Sequence, residues 1–424
     1  MRFGDTWTQG RARLGTYDDH RISRARAMIA AEDVVINLAG LRYSDQHKRN
    51  QSIFEHLLSQ ADPFTSGVFI EPPWVSDRRA GIAARSSRLL RALRATSPRP
   101  RIRVLQPAYV LPFSGRTISA RVQSELWSRR IRRLVDHRPY WLWINNFDFH
   151  AHHLARLVAP KARRVVVDLS DDFTTFRDID PRGLQLRLRE ALTWADGLVA
   201  VNDNVARKFP HPRTLVFANA TDYDAFQRWD PSYRLGDVLP KTRQQQIVGF
   251  IGGLVRERVD QSLLFNLLDA VPEATYLFVG YSNDPALVAR LESRHHVRFF
   301  PTVPRAHVAS VIRSFDVAIV PHADNEFTRG NDLLKIRDCM ACGVPVVTTR
   351  CSGVDRFKHA LWVAEDPAQF IAYVRGLLAG SLRHDPEPGM ELARQESWPV
   401  VVPRLTEWLR EVVAKGPRAE AFRR

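Results

Sequence analysis

The residues with chemistry to offer fall in three short stretches. The first is NDLLKIRDCMACGVPVVTT, Asn331–Thr349. Its helical half carries one lysine, Lys335, and one aspartate, Asp338; a Gly-x-Pro turn and a buried-strand run follow. The free N–H groups at the start of the helix expected from Leu333, Leu334 among them, and the positive end of its dipole favour an anion, and Lys335 adds a full charge at the same end. The second stretch is IGGLVRER, Ile251–Arg258. Gly252 and Gly253 lack a Cβ, so the backbone there can approach an anion closely. Arg256 and Arg258 follow as candidate clamps for phosphate oxygens. The third is VVVDLSDDFTTF, Val165–Phe176, with Asp168, Asp171 and Asp172. Mutual repulsion among three acids raises at least one pKa, as a general base working near neutrality requires. The plainer alternative is that Asp171 or Asp172 caps the following segment. A rival site is NNFDFHAHH, Asn145–His153, with Asp148 and His150.

These stretches sit at the ends of apolar runs that alternate with amphipathic helices. Strands are expected at Asp33–Asn37, Gly67–Glu71, Ile102–Gln106, Trp141–Asn145, Arg164–Asp168 and Gly197–Val201, with helices at His47–Gln60, Arg78–Ala95, Ile118–Asp136, His150–Val158 and Leu184–Ala195 between them. The rhythm restarts at Ile247–Ile251 and runs through Thr275–Val279, Val297–Phe300, Val317–Val320, Val344–Thr348 and Leu361–Val363. Strands apolar on both faces and interleaved with helices imply an α/β chain with parallel sheets covered on both sides. Arg228–Gln246 is polar and contains Pro231, Gly236 and Pro240, which reads as a linker. The expected architecture is two Rossmann-like doubly wound domains facing a cleft: 1–235 for the acceptor, 236–396 for the donor, and a segment 397–424 crossing back to the first. Ligands in such sheets bind beyond the carboxyl ends of the strands.

At 424 residues the chain exceeds one ordinary hydrophobic core. It contains no apolar run of about 18 residues, and its N-terminus lacks the apolar stretch of a signal peptide, so a cytoplasmic protein is expected. Cys339, Cys342 and Cys351 are odd in number, which argues against a disulfide framework. Cys339 and Cys342 have metal-ligand spacing but no second pair, so no metal is expected. The formal charge of +16 is unevenly spread: residues 1–230 hold 37 basic and 24 acidic residues. Between Arg78 and Arg133 stand fifteen arginines and one acid, Glu125. Interleaved with Ile82, Leu89, Leu90, Leu93, Leu126, Trp127 and Ile131, they read as a face for an anionic membrane surface. No stacking-aromatic array accompanies them, so nucleic acid is not the expected partner.

The second half resembles the donor-binding domain of GT-B glycosyltransferases, group 1-like. Ile247–Gly280 looks like the first strand, glycine loop, helix and second strand of that family, and Met340–Val347 carries its M-A-x-G-x-P-V-V ending. HKRNQSIFEHLL with VFIEPPW, and RRVVVDLSDDFTTF with ADGLVAVNDNVARKF, are similar to bacterial exopolysaccharide-assembly members. The likeness covers roughly residues 33–380. It implies that the anion is the diphosphate of a UDP- or GDP-sugar, bound without cofactor or metal. It sets Asp338 on the ribose hydroxyls, where the family often has a glutamate. Thr302 stands in the loop that reads the nucleobase, and Arg49 faces the acceptor. Asp171 lies in an S-D turn like that of the xanthan glucuronosyltransferases, where an aspartate is the base. Retaining members carry two glutamates eight residues apart. Eight before Asp338 stands Gly330, and Glu326 lies four residues too early.

The reading is a glycosyltransferase on the inner face of the plasma membrane, peripheral to it, moving a sugar to a polysaccharide or lipid-linked acceptor. An inverting transfer with Asp171 as base is expected, Asp172 being second choice. Alternatives are a retaining transfer using the His150 loop, a nucleotide-sugar epimerase on the same fold, and a non-catalytic sugar-nucleotide-binding subunit.

Overall fold

The computed structural model describes residues 33–44, 48–59, 64–75, 82–110, 117–176, 180–233 and 246–414. The first lobe holds strands β1 (Val34–Leu38), β2 (Ser66–Ile70), β3 (Trp74–Val75), β4 (Thr96–Arg99), β5 (Ile102–Leu105), β6 (Ala108–Tyr109), β7 (Tyr140–Ile144), β8 (Arg164–Leu169), β9 (Gly197–Ala200) and β10 (Thr214–Val216). Eight of them form one sheet in the order β10-β9-β8-β7-β1-β2-β5-β4. The pairs are parallel except β4 on β5, an antiparallel edge that the sequence pattern did not announce. β3 and β6 pair separately and, at two residues each, are too short to show a period.

Alternation along these strands explains the covering on both faces. Val34, Ile36, Leu38, Leu142, Ile144, Val165 and Val167 point to one side, under the helices Thr117–Leu134, Phe149–Val158 and Pro181–Trp194. Val35, Trp141, Trp143, Val166 and Val199 point to the other, under Arg49–Ser59 and the last helix, Trp398–Ala414. The two indole N–H groups find carboxylates: Trp141 Nε1 donates to Asp33 at 3.3 Å and Trp143 Nε1 to Asp168 at 3.2 Å.

The second lobe is a six-stranded, wholly parallel sheet in the order β13-β12-β11-β14-β15-β16. Its strands are β11 (Ile247–Ile251), β12 (Thr275–Val279), β13 (Val297–Phe300), β14 (Val317–Val320), β15 (Val346–Thr349) and β16 (Trp362–Ala364). Aspartates start its helices: Asp260, Asp284 and Asp366 each accept a hydrogen bond from the backbone N–H three residues on, the ordinary N-cap geometry. The expected starts at His47 and Arg78, and the stretch 234–245 of the linker, lie outside the described residues. The short helix Tyr223–Gln227, before that stretch, packs on the second lobe through Phe226.

The chain crosses between lobes twice, and the crossings are pinned together. Thr221 N donates to Glu396 O at 3.1 Å and Trp398 N to Thr221 O at 3.0 Å. From there the last helix buries Trp398, Val402, Leu405, Leu409 and Val413 against the first lobe. The helix Leu334–Ala341 is tied to this crossing by Arg337, whose side chain is fully buried. Its guanidinium reaches Glu396 Oε2 at 2.6 Å and Asp332 at 3.2 Å and lies over the Phe357 ring. The side chains of Asp332 and Glu396 are only 5% and 25% exposed. Removing one partner of a buried pair strands the other charge. Arg337→Ala is therefore expected to lower the unfolding free energy by about 3–5 kcal/mol in urea titration with an unchanged m-value.

Candidate active site

The carboxyl ends of both sheets face each other, and the groups with chemistry gather there. In the second lobe β11 ends in Gly252, whose φ is +117° and whose missing Cβ would lie 3.3 Å from both Cε and Nζ of Lys335. Gly280, after β12, has φ +145°, and a Cβ there would lie 2.0 Å from the Gly252 carbonyl oxygen, so only glycine fits. The two glycines let the loop close down on the helix Leu334–Ala341. Lys335 points back over the sheet, its Nζ 4.2 Å from the Phe250 ring centroid. That Nζ is buried without a hydrogen-bond partner among the described residues. Burial first, and then the charge of Arg258, bring its pKa down to about 7. Arg258 lies over the Phe327 ring with Nε unpartnered among the described residues, its pKa lowered by burial.

Arg256 goes elsewhere. It is exposed and holds Asp284 Oδ2 at 3.1 Å on the surface, so of the two loop arginines only Arg258 joins the cleft. Leu334 is half-buried at the helix start. Asp338, one turn on, accepts from Thr221 Oγ1 at 2.7 Å. Burial raises its pKa to about 6, with Thr221 and Arg305 opposing. Its Oδ1 thus holds the chain crossing. Thr302 is exposed beyond β13.

Across the gap, Asp171 follows β8. Burial raises its pKa to about 7, against the charges of Arg258 and Arg49. The neighbouring acid has a structural position instead: Asp172 accepts from Thr174 N at 3.1 Å and Thr174 Oγ1 at 2.6 Å, capping the short helical turn Phe173–Thr175. Asp172 Oδ2 also meets Lys208 Nζ at 2.6 Å, and that ammonium reaches Glu326 of the second lobe at 2.8 Å. Arg49, read from sequence as an acceptor contact, is 6% exposed and spans to Asp168 Oδ1 at 3.4 Å, over the Phe217 ring. Asp168 is fully buried, and Asn145 Nδ2 and Trp143 Nε1 also donate to it. His150 packs its ring edge-on to Tyr109 at 4.5 Å and to Phe149 at 5.2 Å, in a helix that Asp148 caps.

Gly330, which stands where retaining relatives have a first glutamate, is packed against the other lobe. A Cβ on Gly330 would lie 2.5 Å from Asp172 Cβ, so the close approach of the lobes leaves no room for a side chain there. Glu326 is occupied by Lys208 at the rim.

Three groups went unforeseen. Lys48 precedes the helix Arg49–Ser59; crowding between the lobes and the charges of Arg258 and Arg305 lower its pKa. Arg305 reaches Asp222 at 3.2 Å beside Asp338. His322, immediately beyond β14, lies beside Lys335 and Arg258, whose charges together with burial hold its pKa well below the ordinary value. Its place at a strand's carboxyl end was the available signal. Among the described residues no group of acids, histidines and cysteines is arranged to hold a metal; Cys339 and Cys342 are buried on the helix.

Residues 245–380, the second lobe, match the family model described as Glycosyl transferases group 1. The phosphatidyl-myo-inositol mannosyltransferase of Mycobacterium tuberculosis is 26% identical over 317 residues, covering 67% of this chain and 79% of that protein. Among solved structures, sucrose-phosphate synthase from Thermosynechococcus elongatus superposes with a TM-score of 0.62 at 13% identity, over 91% of this chain and 100% of that one. Anabaena HepE in complex with UDP-glucose superposes with a TM-score of 0.62 at 14% identity, over 89% and 99%. The second lobe matches the group 1 sequence model, the two lobes carry the GT-B fold, and the chain is a glycosyltransferase.

Proposed function

We propose that the protein transfers a hexose from a nucleoside diphosphate hexose to a hydroxyl of a lipid-linked acceptor, with retention of configuration. The observation that carries the donor half is the buried ammonium of Lys335, without a hydrogen-bond partner among the described residues, under the glycine loop and beside Arg258. A diphosphate of about two negative charges satisfies both cations and the helix-end amides at once. HepE, a fold neighbour, is described with UDP-glucose bound.

Retention is favoured over the inverting transfer expected from the acid cluster by the group 1 match and the mannosyltransferase relatives. In a retaining transfer the acceptor oxygen bonds to C1 from the face that the diphosphate leaves. The C1–O bond to the diphosphate breaks, and the acceptor proton passes to the departing phosphate oxygen. Lys335 and Arg258 stabilise the charge that develops there. Asp171 then orients the acceptor hydroxyl and offsets Arg258, instead of acting as a base behind C1.

The lipid half of the proposal draws on the name of the mannosyltransferase relative and on one exposed stripe. Ile118, Val122 and Leu126, 80%, 51% and 58% exposed, stand four residues apart on the helix Thr117–Leu134. Arg121, Arg129 and Arg133 are exposed on the same helix. Trp127 and Ile131, which the sequence placed on this face, are buried at 5% and 0% in the first core. Leu90 and Leu93 are exposed nearby, and Arg78, Arg79 and Arg116 lie outside the described residues. No described helix is long and apolar enough to cross a membrane.

Lys335→Met is expected to weaken UDP or GDP binding, read by calorimetry, by about 10–100-fold, the worth of a charge-assisted contact. Arg256→Ala changes it less than about threefold; equal losses from both variants would move the diphosphate away from the cleft. Proton NMR of the product anomer is expected to show the donor's configuration retained. An inverted product would instead restore Asp171 as base. With its carboxyl titrating about pH 7, the ionised form of Asp171 grows as pH rises from 6 to 8. At saturating donor, kcat/KM for the acceptor should follow that rise, and Asp171→Asn should flatten it and lower the plateau by about 10–100-fold, the worth of a hydrogen bond to a charged group. In vesicle flotation, replacing Arg121, Arg129 and Arg133 together by serine should reduce binding to phosphatidylserine-containing vesicles about 100-fold, at about 1 kcal/mol per basic residue. Neutral phosphatidylcholine vesicles should show no such difference.

A further inference from the structure

His322, beside Lys335 and Arg258, is a group that the transfer chemistry leaves unassigned. It is 2% exposed. Its backbone is clamped by Thr349 of β15: His322 N donates to Thr349 Oγ1 at 3.1 Å, and Thr349 Oγ1 donates to the His322 carbonyl at 2.7 Å. The ring is therefore placed by the sheet itself. Neither Nδ1 nor Nε2 has a hydrogen-bond partner among the described residues. Buried polar side-chain atoms in folded proteins almost always have one, so an imidazole with both nitrogens open is built to receive a partner from outside the chain.

The surroundings define that partner's charge. The charged groups acting on the ring are Lys335 from the helix Leu334–Ala341 and Arg258 from the glycine loop. β15 contributes the neutral Thr349 hydroxyl, and Asp171 of the other lobe acts on Arg258. Lys335 Nζ and Arg258 Nε are also open among the described residues. Two cations and an open imidazole thus converge, and Asp171 across the cleft is the carboxylate that acts on Arg258. Burial first, and then that field, disfavour an imidazolium, and the ring stays neutral in the free protein. A diphosphate reverses the field: two negative charges within hydrogen-bond reach favour the protonated ring and give it an acceptor.

Resting on the reading that the donor diphosphate lies at Lys335, we propose that His322 is a proton-linked positioning residue for the nucleotide. The ring is neutral in the free protein, takes one proton from solvent as the diphosphate arrives, and donates an N–H to a phosphate oxygen. When the nucleoside diphosphate leaves, the proton returns to solvent. Donor capture is then coupled to pH through the cleft itself. Affinity falls as pH rises, because fewer protons are available for the uptake that binding requires.

Calorimetric titration of the full chain with UDP and with GDP at pH 7.5, in buffers of different ionisation enthalpy, counts the protons taken up. The wild type should take up more than one, His322 supplying about one and Lys335 the remainder. His322→Gln keeps a hydrogen-bond donor but cannot titrate. It should remove about one proton from the count and weaken binding about 10-fold at pH 7. Nitrogen NMR of the wild-type histidine rings provides the readout if that variant does not fold: one ring should pass from neutral to cationic shifts on adding UDP or GDP at pH 7. Unchanged proton uptake in His322→Gln, or no ring converting in the wild type while nucleotide binds, overturns the role of His322 and leaves the diphosphate site standing. A wild-type chain that binds neither UDP nor GDP overturns the diphosphate site and this inference together.

Discussion

A buried ammonium without a counter-charge is the constraint around which this cleft is arranged. Lys335 Nζ lies under Gly252 and over Phe250, away from any carboxylate that could pair with it among the described residues. Burial of an unpaired cation is costly, and the protein meets that cost by keeping the group close to neutral, with a pKa near 7. Two neighbours reinforce the imbalance: Arg258 adds charge of the same sign, and His322 adds a ring with no hydrogen-bond partner among the described residues. A site so arranged holds its strongest interactions in reserve for an anion, the condition under which binding energy is concentrated at one point.

Keeping such a group in place requires a rigid frame, and the frame is made of charges that are paired. Arg337, two residues along from Lys335, is satisfied by Asp332 and Glu396 and joins the helix to the crossing between lobes. Asp338 is held to the same crossing by Thr221. Across the cleft, Arg49 and Asp168 pair in the first-lobe core, and Lys208 straps Asp172 to Glu326 at the rim. Paired and unpaired charges alternate along one helix: Lys335 is open while Arg337 is closed. The strap and the Asn219 backbone N–H, which donates to Asp332 Oδ2 at 2.7 Å, draw the lobes close enough that Gly330 touches Asp172. Gly330, where retaining relatives have a first glutamate, is thus part of the packing between the lobes.

Much of this was legible in the chain. Apolar runs separated by amphipathic helices implied two parallel sheets, because a strand buried on both faces has few other homes. Gly252 and Lys335 met as expected, since a loop after β11 and a helix start after β14 both lie at carboxyl ends, while Gly253 sits against Val255 and Tyr281. The acids were harder. Asp171 and Asp172 are adjacent and chemically identical, yet one enters the cleft and the other caps a turn. Arg256 and Arg258, two apart, part ways similarly. Arg49 read as an acceptor contact, and its burial against Asp168 and the Phe217 ring could not be seen from spacing.

The sequence by itself determined the fold class, the group 1 pattern of the second lobe and the loops that could touch an anion. These follow from periodicity, glycine placement and helix ends, which are local properties. Tertiary structure decided which charges are spent on one another and which are left open, because pairing is settled by neighbours brought from far along the chain. Asp168 finds Arg49 119 residues away, and Asp172 finds Lys208 36 residues away. His322 finds no partner at all among the described residues. Spacing along a chain cannot report that distinction, since it is the surroundings in three dimensions that set whether a charge is neutralised, buried or held for a ligand.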